Sequence, residues 1–179
     1  MPKAVPPDSS RRVRVGLVDD HLVVRLGLRA LLETHPGIEV VGEAATGAEA
    51  LELVVRRHPD VLLLDLRLPD LDGLEVCRRL KASESAPAVL VLSSFADDQT
   101  VLAAIEVGAD GYLLKVAAGP DIPQTILTVA SGGSVLDPQV ARRVLQTFQK
   151  SKSTPPEAPS VLSRLNSQEM RVLASLAKG

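Results

Sequence analysis

The chain of 179 residues is poor in aromatic residues and in cysteine: it contains no tryptophan, one tyrosine, two phenylalanines and one cysteine. A folded core must therefore consist of aliphatic side chains, chiefly Leu, Val, Ile and Ala. Because Cys77 is the only cysteine, an intramolecular disulfide is excluded, which favours a reducing compartment. Its helical spacing from Leu74 and Leu80 predicts a packed, unreactive thiol.

The sequence also lacks an apolar run of membrane-spanning length and the apolar centre of a secretory signal peptide. We therefore expect a cytoplasmic protein with no membrane partner. The first residues are rich in proline and serine, which predicts a disordered tail over residues 1–11. The chain is 45% hydrophobic and 23% charged, as in ordinary globular proteins, and its length allows one full domain and a small remainder.

Short apolar runs alternate with segments of helical periodicity between residues 12 and 131. Five such pairs in succession predict an α/β domain whose parallel sheet is covered on both faces. A short extended piece and an amphipathic helix over about 138–150 follow Gly132-Gly133. The predicted strands are 13–18, 38–44, 61–66, 88–93 and 111–115, and the predicted helices are 21–35, 48–58, 73–82, 98–109 and 120–131.

Acidic residues stand where two predicted strands end. Asp19 and Asp20 follow the first strand, and Asp65 follows the branched apolar run Val61–Leu64. A charge at the end of a buried strand is costly unless it has a partner. If the two strands are neighbours, the three carboxylates meet at one edge of the sheet, where their repulsion calls for a cation. Mg²⁺ suits a few carboxylates supplemented by water and phosphate.

Two more polar residues are expected at the same edge: Ser93 at the end of the fourth strand and Lys115 at the end of the fifth. Carboxylates, a metal ion, a hydroxyl and an ammonium together are typical of phosphoryl transfer, with a carboxylate as nucleophile. Taken singly, each residue has an ordinary structural explanation as a turn former, a solvated charge or a backbone-bonded hydroxyl. Their joint order along the chain carries the prediction.

Four segments resemble the motifs of the receiver domain of two-component response regulators, in order and in spacing. The resemblance covers residues 12–131. It implies a flavodoxin-like fold, a doubly wound five-stranded parallel sheet with strand order 2-1-3-4-5. The segments are LVDDH (17–21), LLLDLRLPDLDG (62–73), VLVLSSF (89–95) and GADGYLLK (108–115).

The resemblance implies a phosphoacceptor and a Mg²⁺ site. Asp65 would accept the phosphoryl group. Asp20 would bind Mg²⁺ directly, and Asp19 would hold a metal-bound water or assist. The backbone carbonyl of Arg67 would complete the metal shell.

The resemblance also implies which residues respond to phosphate. Lys115 would neutralise one phosphoryl oxygen and Ser93 would bond another. Tyr112 would be a rotameric switch that turns inward as Ser93 moves, and the helix over 98–108 would shift with it. Phe95 would lie on the same surface. The residues alone leave a second interpretation of Tyr112 open, an amphipathic residue at the sheet edge with a solvated hydroxyl.

The sequence departs from many receivers at Val116, which follows Lys115 where they have proline, so no cis peptide is expected there. In this it resembles the NarL/FixJ regulators, which carry a LuxR-type helix-turn-helix. Residues 132–160 would form a linker helix and a Pro-rich linker. Residues 161–179, including LNSQE, resemble the first helix of the DNA-binding domain, with Asn166 as its cap although the usual motif differs at Asn166 and Gln168.

No recognition helix follows within the sequence, so we expect an incomplete DNA-binding domain. Promoter DNA would then be bound by the full-length protein and not by this fragment.

The sequence therefore predicts a response regulator and not an enzyme, with at most self-catalysed phosphotransfer and autodephosphorylation. Its partners would be a cognate sensor histidine kinase, a second copy after phosphorylation, and promoter DNA. A receiver that acts through protein contacts without phosphate remains an alternative. A haloacid dehalogenase-type phosphohydrolase is disfavoured because Arg67 stands where its second acid is required. A nucleotide-binding Rossmann domain is disfavoured because DDHLVVRLG is not a Gly-rich loop.

Overall fold

A computed structural model describes residues 11–94, 97–115 and 121–152. Several predictions fall outside these residues: the tail up to residue 10, Phe95, Val116, the Pro-rich linker and the helix predicted within 161–179. The described strands are β1 (Val13–Val18), β2 (Ile38–Ala44), β3 (Val61–Leu64), β4 (Ala88–Ser93), β5 (Gly111–Leu114) and β6 (Val135–Leu136). The helices are α1 (Leu22–Glu33), α2 (Gly47–Arg57), α3 (Gly73–Lys81), α4 (Asp98–Glu106), α5 (Ile122–Ala130) and α6 (Pro138–Lys152).

The strands form one parallel sheet in the order β2-β1-β3-β4-β5-β6, which confirms the predicted fold class and the order of the first five. The predicted number of strands was one too few. The short extended piece pairs with β5, Gly111 opposite Val135 and Tyr112 opposite Leu136. A strand of two residues carries no usable periodicity, and it depends on the free edge of β5.

Helices cover both faces of the sheet, as the alternation along β3 illustrates. Leu62 and Leu64 join the apolar cluster formed with α2, α3, α4 and α6. Val61 and Leu63 join the opposite cluster, formed with α1 and α5. All four side chains are buried, which is why the sequence of β3 is a continuous apolar run and does not alternate with polar residues.

Cys77 confirms the predicted packed thiol. Its side chain is fully buried in the α3 side of the core, and burial raises the pKa of the thiol to about 12. A thiol that is neutral and buried is unreactive at neutral pH. Among the described residues, no helix combines the length and the apolar character needed to span a membrane.

Helix α6 packs on α4 and extends the core beyond residue 131. Asp137 begins the helix: its carboxylate accepts the N–H of Gln139 over 2.8 Å, and Pro138 occupies the first helical position. Val140 and Val144 are buried in the cluster that contains the α4 residues Val101 and Ala104. The division between receiver and linker at residue 131 stays a prediction.

We expect Val144→Ala to lower the free energy of unfolding by about 2 kcal/mol, because two methyl groups are lost from a packed site. Leu145→Ala is the matched control, since Leu145 is 39% exposed on the same helix. Urea unfolding followed by circular dichroism measures both. Equal, small effects of the two substitutions would show that α6 contributes nothing to the stability of this fold.

Candidate functional site

The sheet brings four polar strand ends to one edge. Strands β1, β3, β4 and β5 are consecutive neighbours, which confirms the expected adjacency of the first and third strands. The backbone N–H of Asp65 donates to Val18 O over 2.8 Å, and that of Lys115 donates to Ser93 O over the same distance. These ladder bonds hold the predicted residues at the same level of the sheet.

Lys115 bridges two buried carboxylates. Its Nζ lies 2.6 Å from Asp19 Oδ2 and 2.7 Å from Asp65 Oδ2, while Asp19 is 1% and Asp65 5% exposed. Burial is the largest influence on the pKa of Lys115 and lowers it, but the bonds and charges of the two aspartates together prevail and raise it. The ammonium stays charged at neutral pH, and two carboxylates share one positive charge.

Asp20 and His21 stand at the open side of this trio. The side chain of Asp20 is 37% exposed, and His21 Nδ1 lies 2.6 Å from Asp20 Oδ1 and 3.2 Å from Asp19 Oδ1. His21 was absent from the predicted site residues. The position of His21 directly after two aspartates is a sequence signal that could have identified it as a site residue.

The donor set fits a divalent cation. Asp19, Asp20, His21 and Asp65 each offer one ligand atom, and these atoms lie within 4.8 Å of one another. Three of the four are carboxylates, the ligands that Mg²⁺ prefers. Arg67 lies beside them, because its backbone N–H donates to Asp65 Oδ1 over 3.3 Å.

An arginine on α1 fixes the backbone of the acidic loop. Arg25 Nη1 donates to the carbonyl oxygen of Asp19 over 2.5 Å, and Arg25 Nε donates to Glu43 Oε2 over 3.3 Å. Glu43 also accepts Arg29 Nε. These contacts join β1, β2 and α1 at the site. No local sequence pattern indicates these bonds, which join Arg25 to Asp19 six residues earlier and to Glu43 eighteen residues later.

Tyr112 points into the protein. Tyr112 and Ser93 are each 1% exposed. The pKa of Tyr112 is raised, principally by burial, although a hydrogen bond with Ser93 acts to lower it. The alternative interpretation, a solvated hydroxyl at the sheet edge, is wrong, because the side chain is buried in the cluster with α4 and α6 and β5 is not the edge strand. The side chain already lies inside, so the expected inward turn does not start from this conformation, and a switching role for Tyr112 stays a prediction.

Comparison with known proteins agrees with this geometry. Residues 15–127 match the family model of the response regulator receiver domain. The transcriptional regulatory protein LiaR of Bacillus subtilis is 39% identical over 169 residues, 93% of this chain and 77% of LiaR. The DNA-binding transcriptional activator DevR/DosR of Mycobacterium tuberculosis is 40% identical over 167 residues, 93% of this chain and 75% of that protein.

A solved structure shares the fold as well. The crystal structure of a LuxR-family two-component response regulator from Aurantimonas sp. SI85-9A1 superimposes with a TM-score of 0.72 at 34% identity, covering 76% of this chain and 97% of that chain. The family match extends over more than half of this sequence, and the relatives match it over most of their length. The chain belongs to the LuxR/NarL-type response regulators of two-component systems and contains their receiver domain.

Proposed function

We propose that this response regulator accepts a phosphoryl group on Asp65 in a Mg²⁺-dependent reaction. The observation that carries the proposal is the bridge from Lys115 Nζ to Asp65 Oδ2 and Asp19 Oδ2. A buried carboxylate held by a fixed ammonium, at a strand end with further carboxylates beside it, is prepared for the negative charge of a phosphate.

The Asp65 carboxylate is the nucleophile of the proposed reaction. One of its oxygens forms a bond to the phosphorus of the donor, a phosphohistidine of the cognate sensor kinase, while the bond from phosphorus to the imidazole nitrogen breaks. The imidazole leaves as a neutral base after taking up a proton. With acetyl phosphate as donor, acetate leaves instead. The product is an acyl phosphate.

Asp20, Asp65 and the backbone carbonyl of Arg67 would hold Mg²⁺, with Asp19 assisting through a water molecule. When bound, Mg²⁺ supplies positive charge that lets an anionic phosphoryl group approach an anionic acceptor. Lys115 would neutralise one phosphoryl oxygen. The ring of His21, whose Nδ1 lies 2.6 Å from Asp20 Oδ1, would orient that carboxylate.

The response begins at Ser93. Its hydroxyl bonds Tyr112 in this structure, and a phosphoryl oxygen on Asp65 is a stronger competing acceptor. Loss of the bond to Ser93 changes the packing of Tyr112, which shares one apolar cluster with α4 and α6. We propose that movement of these helices favours a homodimer and, in the full-length protein, DNA binding.

The remaining predictions belong to the same proposal. The names of LiaR and DevR/DosR, a transcriptional regulatory protein and a DNA-binding activator, support control of transcription. The proposed organisation is a receiver over 12–131, a linker over 132–160 and the start of a LuxR-type domain over 161–179. A phosphate relay and an unpaired thiol both suit the cytoplasm.

We expect the intact protein to gain the mass of one phosphoryl group when incubated with acetyl phosphate and Mg²⁺. Asp65→Asn should gain none, because the amide is a poor nucleophile, and EDTA should suppress the gain in the parent. A gain in the variant would mean that another residue is the acceptor. No gain in either protein, together with no Mg²⁺ binding, would favour the phosphate-independent alternative.

A further inference from the structure

The loop after the proposed phosphoacceptor, residues 66–72, is tied to helix α2 by Asp70. Asp70 Oδ1 accepts the backbone N–H of Gly47 over 2.7 Å, and Oδ2 accepts that of Ala48 over 2.9 Å. These are the first two residues of α2, whose N–H groups have no partner within the helix. Both bonds, that of Ala48 first, lower the pKa of Asp70, so an anion faces the positive end of the helix dipole at neutral pH.

Helix α2 possesses a cap of its own. Thr46 Oγ1 accepts the N–H of Glu49 over 3.1 Å, and Glu49 Oε2 accepts the N–H of Ala45 over 2.8 Å. This pair resembles a capping box, except that Glu49 accepts the N–H of the residue before the N-cap, and it caps the start of the helix. The contacts of Asp70 reach back 22 and 23 residues from another loop. The main effect of the Asp70 bonds is therefore to hold the loop in place, since the helix start is already capped.

The loop is closely packed on either side of this tie. The N–H of Gly73 donates to Leu66 O over 2.9 Å, which closes the loop onto the end of β3. A Cβ atom placed on Gly47 would lie 2.7 Å from the Cβ of Leu71, so the loop touches the backbone of α2. Arg67 lies within the segment that these two contacts hold.

We propose that Asp70 is a positioning residue for the metal site. By holding the loop against α2, it sets the position of the Arg67 carbonyl and the orientation of the Asp65 carboxylate. This inference rests on the proposed function, because it assumes that the Arg67 carbonyl binds Mg²⁺. Nothing in LPDLDG beyond its turn-forming residues indicates this role from the sequence.

The test compares Asp70→Ala with Thr46→Ala. Thr46→Ala removes a capping bond from the same end of α2 and leaves the loop untouched. For each variant we would titrate Mg²⁺ by calorimetry and measure the rate of phosphorylation by acetyl phosphate against Mg²⁺ concentration. Asp70→Ala should weaken Mg²⁺ binding roughly three- to tenfold. This is at or below the loss of affinity seen when residues that hold metal ligands directly are replaced, because Asp70 acts on the site through the backbone of the loop. Its rate should approach that of the parent at saturating Mg²⁺.

Thr46→Ala should bind Mg²⁺ as the parent does. Asp70→Asn, which keeps one acceptor oxygen, should fall between the parent and Asp70→Ala, and it serves as the main variant if Asp70→Ala does not fold. Equal Mg²⁺ affinity in the Asp70 and Thr46 variants would overturn the proposal. If the parent gains no phosphoryl group, the proposed function fails, and the Mg²⁺ titration still decides the role of Asp70.

Discussion

Replacement of Lys115 by methionine is expected to lower the free energy of unfolding by about 3 kcal/mol when no divalent cation is present. The substitution keeps an unbranched side chain only one atom shorter but leaves Asp19 and Asp65 as adjacent buried anions. Loss of one partner of a buried ion pair usually costs about 3 to 5 kcal/mol. We expect a value at the lower end of this range, because the site is open to solvent at Asp20. Urea unfolding in EDTA measures the effect.

The dependence on pH follows from the raised pKa of Lys115. Because the folded-state pKa lies above the usual value, the stabilising contribution is fully present at neutral pH. It is lost only as the pH rises through the raised folded-state value. The parent and Lys115→Met should therefore differ in stability across the whole neutral range.

Mg²⁺ should restore part of the free energy of unfolding that Lys115→Met loses. The ammonium and the metal ion are attracted to the same carboxylates. Removal of the ammonium should therefore tighten Mg²⁺ binding and increase the stabilisation by Mg²⁺. Lys81→Met is the matched control: Lys81 Nζ lies 2.5 Å from Asp110 Oδ2 and is similarly buried, but the pair is remote from the acidic site. Equal responses of both variants to Mg²⁺ would contradict this description of the site.

The second large effect is expected at Gly73, where helix α3 begins against the acceptor loop. A Cβ atom at Gly73 would lie 2.5 Å from Asp65 O and 2.6 Å from Leu66 Cα. Both are backbone atoms, so relief requires the strand end itself to move. We expect Gly73→Ala to cost about 3 kcal/mol, the upper part of the range for overpacking, and to weaken Mg²⁺ binding.

Gly27→Ala provides the contrast for Gly73→Ala. Gly27 lies within α1, and a Cβ atom there would meet nothing within 4 Å. Alanine is favoured over glycine inside a helix by about 1 kcal/mol, so this variant should be more stable than the parent. Thermal unfolding of both variants gives the comparison. A loss at Gly73 no larger than 1 kcal/mol would mean that the loop yields without strain.

The sequence is sufficient to predict those parts of the site that depend only on the order of the strands. A continuous apolar run such as Val61–Leu64 identifies a central strand, and the residue after it must emerge at the carboxyl edge. Asp19, Asp65, Ser93 and Lys115 are expected at that edge for this reason, and the structure brings them together there.

Contacts between individual side chains and backbone groups were not predictable. The bonds of Arg25 to the Asp19 carbonyl and of Asp70 to the start of α2 join segments with no common local pattern. The pairing of β6 likewise depends on an edge that another strand supplies. The sequence also could not show that Lys115 spans two carboxylates at once, because that depends on the side-chain conformations of all three residues.

Phosphorylation at Asp65 is tested most directly by locating the phosphoryl group. After incubation with acetyl phosphate and Mg²⁺, borohydride reduces an aspartyl phosphate to homoserine, which peptide mass spectrometry assigns to one position. We predict homoserine at residue 65, and none there when EDTA is present. Homoserine at residue 19 or 20 with Asp65 unchanged, or none in a protein that binds Mg²⁺, would contradict the assignment of Asp65 as the phosphoacceptor.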